Sequence, residues 1–269
     1  MEWMIQMCGI FGFALKKPIL MSGVMKVLEK LEIHQYPGEP NPVGGYGAGV
    51  VVLAKDGGIV LEKVGKQSDS PARSLAKAVT ANFNEASLLI GHVRFPSPEF
   101  MSTASLRETA QPYVVRQDPD LTVASVHNGK VENYKELRAK VSGAHIFESE
   151  KTQLIDSEVI PHYFEELLHE IEDPNEAAYS FLSAIQGSGS IGILQIGDEN
   201  AFLHILHKGK TRGLTVWTNE KDEVIFSSRK EPLQTELKDV LSNRKFREKA
   251  SIGYREDAGL KLTFPVVLG

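Results

Sequence analysis

Strand-like segments arrive along this chain in short consecutive groups, with helix-like segments in pairs between them. That order disfavours strict strand–helix–strand alternation and predicts antiparallel sheets with helices packed outside them. "CGIFGFAL" at residues 8–15 is short, apolar and rich in strand formers, so it reads as a buried strand. "SGVMKVLEKLE" places Val24, Val27, Leu28 and Leu31 at helical spacing. The breaker-rich "YPGEPNPVGGYG" then leads into the strand "AGVVVLA". "KDGG" predicts a hairpin to "IVLEKV", because glycine supplies the positive φ of a primed turn.

Ser70 before Pro71 predicts a helix start, with the hydroxyl capping and the proline in the first helical position. Asp173 and Pro174 repeat that signature. "ASLLIGHVRF", "QPYVV" and "LTVASVHNG" read as strands, "ENYKELRAKV" and "DSEVIPHYFEELLHEI" as helices, with Pro161 tolerable only near a helix start. Four further strands follow, "SIGILQIG", "AFLHILHK", "GLTVWTN" and "EVIFSS". A last helix, "EPLQTELKDVLS", precedes a strand-like tail.

The 269 residues are 42% hydrophobic and 24% charged, enough for a sizeable core. Composition does not shift, no linker divides the chain and no repeat recurs, so residues 8–269 are expected to form one domain. A net charge of −5 argues against nonspecific binding to nucleic acid or an anionic membrane. One cysteine cannot form an internal disulfide. The opening "MEWMIQM" has neither a basic start nor a long apolar stretch, so it does not make a secretory signal. No apolar run approaches the ~20 residues of a membrane helix. The expected location is cytoplasmic.

Cys8 is the single cysteine and follows Met7. It is either a small buried hydrophobe in a strand or a nucleophile. If residues 1–7 are a leader that is removed, or a mis-assigned start, Cys8 leads the chain and carries a free α-amine. Amine and thiol have reference pKa values of about 8 and 8.5, so one residue can supply both base and nucleophile. A thiolate attacking an amide needs donors for the developing oxyanion. Asn128 and Gly129 can be such donors or a plain Asn-Gly turn. Arg94, ending a strand, is either solvated or a fork for a carboxylate. Asp156 is either a helix N-cap or the partner of an ammonium.

"MCGIFGF", "GHVRFPS", "HNGKVENYKELR" and "DSEVI" resemble, in order, four motif blocks of class II glutamine amidotransferase domains, members of the N-terminal-nucleophile hydrolases. The likeness continues more faintly through "FLSAIQGSGSIGIL" and "VIFSSRKEPL". It implies an α+β fold, a four-layer αββα sandwich of antiparallel sheets. It implies hydrolysis of the glutamine side-chain amide to glutamate and ammonia through a γ-glutamyl thioester. Cys8 would be the nucleophile, Asn128 and Gly129 the oxyanion hole. Arg94 would hold the glutamine carboxylate and Asp156 its ammonium, and Ser97 stands where many relatives bind substrate with a threonine. No cofactor or metal is implied. A separate synthase subunit is the expected recipient of the ammonia, and glutamate-synthase-like systems are the relatives to examine first.

Two segments depart from the family pattern. "IHQYPGEPNPVGGYGAGVV" replaces the usual Arg-Gly-Pro-Asp-like turn, and "FPSPEFMSTASLRETAQP" follows Arg94 without the usual small-residue run. Two other readings stand beside the first: hydrolysis of a γ-glutamyl bond in another metabolite, and a non-catalytic partner or regulatory subunit that keeps the fold. His204 and His207, three apart in a strand, should face opposite ways rather than share a metal. His162 and His169, with Glu165 and Glu166 between them, read as a solvated helical face. "GSGS" at 187–190 lacks the Gly-Lys-Ser/Thr element of a phosphate loop.

Overall fold

The computed structural model describes residues 8–54, 57–198 and 200–267. The elements are β1 (Gly9–Leu20), α1 (Met21–Ile33), β2 (Gly47–Leu53), β3 (Ile59–Gly65), α2 (Pro71–Asn82) and β4 (Glu85–Val93). Next come β5 (Tyr113–Val115), β6 (Leu121–Val131), α3 (Tyr134–Lys140), α4 (Val159–Glu170) and α5 (Pro174–Ala184). The chain closes with β7 (Gly187–Gly197), β8 (Ala201–Lys210), β9 (Leu214–Thr218), β10 (Val224–Ser227), α6 (Lys230–Glu236), α7 (Lys238–Asn243), β11 (Arg247–Ile252) and β12 (Asp257–Val266).

Two antiparallel sheets result, one ordered β11-β9-β10-β1-β4-β2-β3 and the other β12-β8-β7-β6-β5. Strand alternation explains how they stack. On β1, Phe11 and Phe13 pack with Val24, Leu28 and Leu31 of α1, whereas Ile10 and Ala14 face the second sheet. On β6, Ala124 and Val126 meet Ile10 and Phe226 between the sheets, while Val123 packs with Phe164 of α4 and Phe181 of α5 on the outer side. Helices thus cover both outer faces, which makes the expected αββα sandwich.

Local signals hold where local chemistry decides. The Ser70 hydroxyl accepts from Arg73 N at 3.0 Å, and the Asp173 carboxylate accepts from Asn175 N at 2.7 Å. Ala54 N donates to Gly58 O and Gly57 sits at φ +83°, so β2 and β3 are joined by a hairpin; Lys55 and Asp56 of "KDGG" lie outside the described residues. The last helix does not run as one piece. It breaks at Leu237, which leaves helical geometry and buries its side chain against α1, near Gly23. Among the described residues no helix is long and apolar enough to cross a membrane.

Candidate active site

Continuing the register that pairs Gly9 with Val93 places Cys8 opposite Arg94 at the end of β4. The sulfur lies 3.5 Å from Phe95 O, toward which the thiol donates, and accepts from Phe95 N at 3.4 Å. Cys8 keeps part of its surface exposed and lines a cavity of about 390 Å³. Arg94, Ser97, Gly129 and Asp156 line the same cavity. Burial pushes the thiol up, against the downward pull of the Phe95 backbone, Arg94 and Arg212.

Arg94 is not a solvated strand-end residue; it is 4% exposed. Its Nη1 donates to Thr109 Oγ1 at 2.5 Å and to Thr103 O at 3.3 Å, and its Nη2 to Thr103 Oγ1 at 2.9 Å. These bonds occupy the end of the guanidinium fork and leave its Nε–Nη2 edge for a carboxylate. The segment after Arg94, singled out in sequence as atypical, is therefore tied down by Arg94 itself.

Asn128 and Gly129 do not form a turn. Both belong to β6, paired with Ser190 and Gly189 of β7. By alternation Asn128 shares the inter-sheet face of Ala124 and Val126, the face that Cys8 shares with Ile10. The Asn128 amide is fully buried, and neither its nitrogen nor its oxygen has a hydrogen-bond partner among the described residues. Glycine is required at 129, since a Cβ there would stand 2.0 Å from Ser188 O.

Asp156 does not cap a helix; Ile155 occupies the capping position of the short turn Asp156–Glu158. Its Oδ2 accepts from Val131 N at 2.9 Å, which ties it to the end of β6. Burial raises its carboxyl to about 6.

Sequence reasoning passed over His127, Gln111 and Ser157, all of which line the cavity. Gln111 mimics a peptide: its Oε1 accepts from His127 N at 2.7 Å and its Nε2 donates to His127 O at 3.1 Å. His127 Nδ1 lies 2.9 Å from Ser157 Oγ, beside Asp156. Burial lowers this imidazole to about 4, so it is neutral at pH 7. His127 and Ser157 adjoin quoted motifs and were findable by proximity; Gln111 carried no signal.

The helical-face reading of α4 needs correction. It holds for His169, which is exposed, but His162 is 3% exposed beneath His145 and Phe147, and Glu165 is fully buried, accepting from Gln117 N and Asp118 N. His162 stacks on Phe147 at 3.8 Å and its Nδ1 meets His145 Nδ1 at 2.9 Å. Among the described residues no cluster of three or more such side chains is arranged to hold a metal ion. His204 and His207 do face opposite ways, the first toward Gln195 and Thr263, the second toward Ser190.

A family profile for a glutamine amidotransferase domain matches residues 100–235, just over half the chain. The chain belongs to that family. The glutamine amidotransferase profile spans Asn128, Gly129 and Asp156 but begins after Cys8, Arg94 and Ser97. Pairwise similarity to amidotransferase relatives is wider. Glutamine–fructose-6-phosphate aminotransferase of Geobacillus kaustophilus is 31% identical over 197 residues, covering 72% of this chain and 28% of that protein. The enzyme of the same name from Chlamydia trachomatis is 29% identical over 225 residues, 82% of this chain and 32% of its own length. The chain thus spans about a third of the length of the curated relatives it matches. Glutamine phosphoribosylpyrophosphate amidotransferase from B. subtilis shares the fold with a TM-score of 0.61 at 15% identity, over 95% of this chain and 49% of that one. The class II amidotransferase resemblance and the sandwich expected from it are borne out.

Proposed function

We propose that the chain hydrolyses the side-chain amide of glutamine, with Cys8 as nucleophile. The observation that carries this reading is the convergence on one cavity of a thiol, a guanidinium edge and a buried carboxylate from three separate segments. The thiol proton passes to the Cys8 α-amine, which requires Cys8 to lead the mature chain. The sulfur attacks the amide carbon, and its oxygen takes up charge between Asn128 Nδ2 and the Gly129 N–H. The C–N bond then breaks, the amine returns its proton to the leaving nitrogen, and ammonia departs. Water attacks the thioester, gives a proton to the amine and releases glutamate, and the sulfur regains its hydrogen.

Arg94 receives the substrate carboxylate along its free edge, Asp156 the ammonium, and Ser97 offers a hydroxyl buried without a partner among the described residues. Ammonia would pass to a synthase partner, a reading that fits the similarity to relatives named as aminotransferases. Ammonia release from glutamine, together with the intact mass of natively expressed protein, tests the reading. A mass that retains residues 1–7 in active material overturns the amine's role.

A second reading is favoured by the cavity walls. Phe95, Pro96, Pro98, Phe100 and Ile155 make them largely apolar, which suits a γ-glutamyl amide with an apolar group on nitrogen. Comparing glutamine with such amides separates the two.

Arg94→Lys is expected to raise KM for glutamine several-fold with little change in kcat, since a point charge cannot reproduce a planar fork. Steady-state kinetics check it; an unchanged KM rejects the role. KM should also depend on pH. Asp156 titrates at about 6, so protonation below that value removes the charge facing the substrate ammonium. KM therefore rises as pH falls through 6, and in Asp156→Asn it is raised and flat across that range.

A further inference from the structure

Glu39, Arg212 and Arg229 form a buried cluster that the reaction above does not use, with exposures of 6%, 3% and 0%. Glu39 comes from "IHQYPGEPNPVGG", the stretch that replaces the family's usual turn. Its Oε1 accepts from Arg229 Nη2, and its Oε2 lies 3.8 Å from Arg212 Nη1, beyond hydrogen-bonding reach. Tyr36 covers the Arg229 guanidinium at 4.2 Å, and Tyr254 lies 5.6 Å from it. Two guanidiniums share one carboxylate, so the cluster carries a surplus positive charge. The Nε and Nη1 atoms of both arginines lack hydrogen-bond partners among the described residues. A buried uncompensated charge is costly, so it has to face an anion in some state of the protein.

The sheet register brings Cys8 to the end of the sheet where this cluster sits. Ser227 of β10 pairs with Phe11 of β1 and Thr215 of β9, so the three strands end level. Ser228 fixes the junction, its N donating to Ile10 O at 2.9 Å and its Oγ accepting from Ile10 N at 3.0 Å. Beyond these pairs Cys8, Arg229 and Arg212 come to the same end of the sheet. Ser190 Oγ to Thr211 Oγ1, at 2.9 Å, and Gly213 N to Thr211 Oγ1, at 3.0 Å, fix the turn that carries Arg212.

The geometry points to Arg212 as a positioning residue that stabilises the Cys8 thiolate as it forms, with Glu39 setting how much of the cluster's charge reaches it. This rests on Cys8 being the nucleophile. The charges acting on the thiol are Arg94 and Arg212, which favour the anion, and Asp156, which opposes it. In reciprocal fashion Cys8 is among the groups acting on Arg212, with Glu39, Arg229 and Tyr254. When the S–H bond breaks the electron pair stays on sulfur, within the field of this surplus charge, and the proton goes to the base.

Because Cys8 is the single cysteine, its alkylation by iodoacetamide reports on that sulfur alone. The pH midpoint of alkylation should rise by about one unit in folded Arg212→Met, making the reaction roughly tenfold slower near neutral pH. Arg212→Lys should restore most of the rate. Glu39→Gln should move the midpoint down, because it uncovers the arginines. An unchanged midpoint in folded Arg212→Met, or shifts of the same sign in Arg212→Met and Glu39→Gln, overturns the inference. Should Arg212→Met fail to fold, a midpoint that stays or rises in Glu39→Gln is sufficient to overturn it. Alkylation needs no turnover, so these results stand apart from Cys8→Ala: full ammonia release in that variant removes the nucleophile assignment, not the electrostatic one.

Discussion

Cys8→Ala is expected to abolish ammonia release from glutamine while leaving the fold and its thermal transition unchanged. In the proposed mechanism the Cys8 sulfur makes the acyl bond that divides the reaction into two easier steps. With it gone, the proposed oxyanion donors and substrate contacts would remain but have nothing to assist, and the loss of a nucleophile typically costs about 10⁴–10⁶ in kcat. The structural price is small. Cys8 precedes β1, is partly exposed, and among the described residues its sulfur makes only weak hydrogen bonds, with the Phe95 backbone. Coupled ammonia assays and a melting curve of the same sample check both halves. Wild-type turnover in the variant would remove the thioester mechanism.

Asn128→Ala carries the second large effect, and its sign on stability differs from that of most buried substitutions. The Asn128 amide is buried with neither end bonded among the described residues, an arrangement that costs about 1–3 kcal/mol when nothing relieves it. Removing the amide relieves that cost and leaves a small void whose penalty is of the order of 1 kcal/mol. The melting temperature should therefore hold or rise. Activity should fall by about 10²–10³ in kcat with KM little changed, because an oxyanion donor engages its partner only in the transition state. A lower melting temperature together with unchanged kcat would show that the amide serves packing instead.

The motif blocks were legible in sequence because each is a run of neighbours. "HNG" after an apolar strand and "DSEVI" before a helix are local patterns, and the structure brings His127, Gly129 and Asp156 to the cavity that Cys8 lines, with Asn128 buried between the first two on β6. The surroundings of those residues were not legible. Arg94 looks like a surface cation until Thr103 and Thr109, 9 and 15 residues on, close over it. Asp156 has the sequence context of a cap, yet its oxygen is spent on Val131 N, 25 residues back. His162 has helical spacing suited to solvent and is covered by the Phe147 ring. Arg94 and His162 are buried by loops, and Asp156 is held by the end of β6; no local pattern specifies those meetings.

The amino-acid order alone determined the alternation of apolar residues along β1 and β6, the capped starts of α2 and α5, and a single thiol near the head of the chain. Those are consequences of side-chain size, hydrogen bonding and spacing within a few residues. Tertiary structure alone decided that Glu39 meets Arg229 across 190 residues, that Arg212 ends level with Cys8, and that Asn128 faces the gap between the sheets. Strand register sets which distant residues share an end or a face, and desolvation there gives their charges an influence they would lack in water.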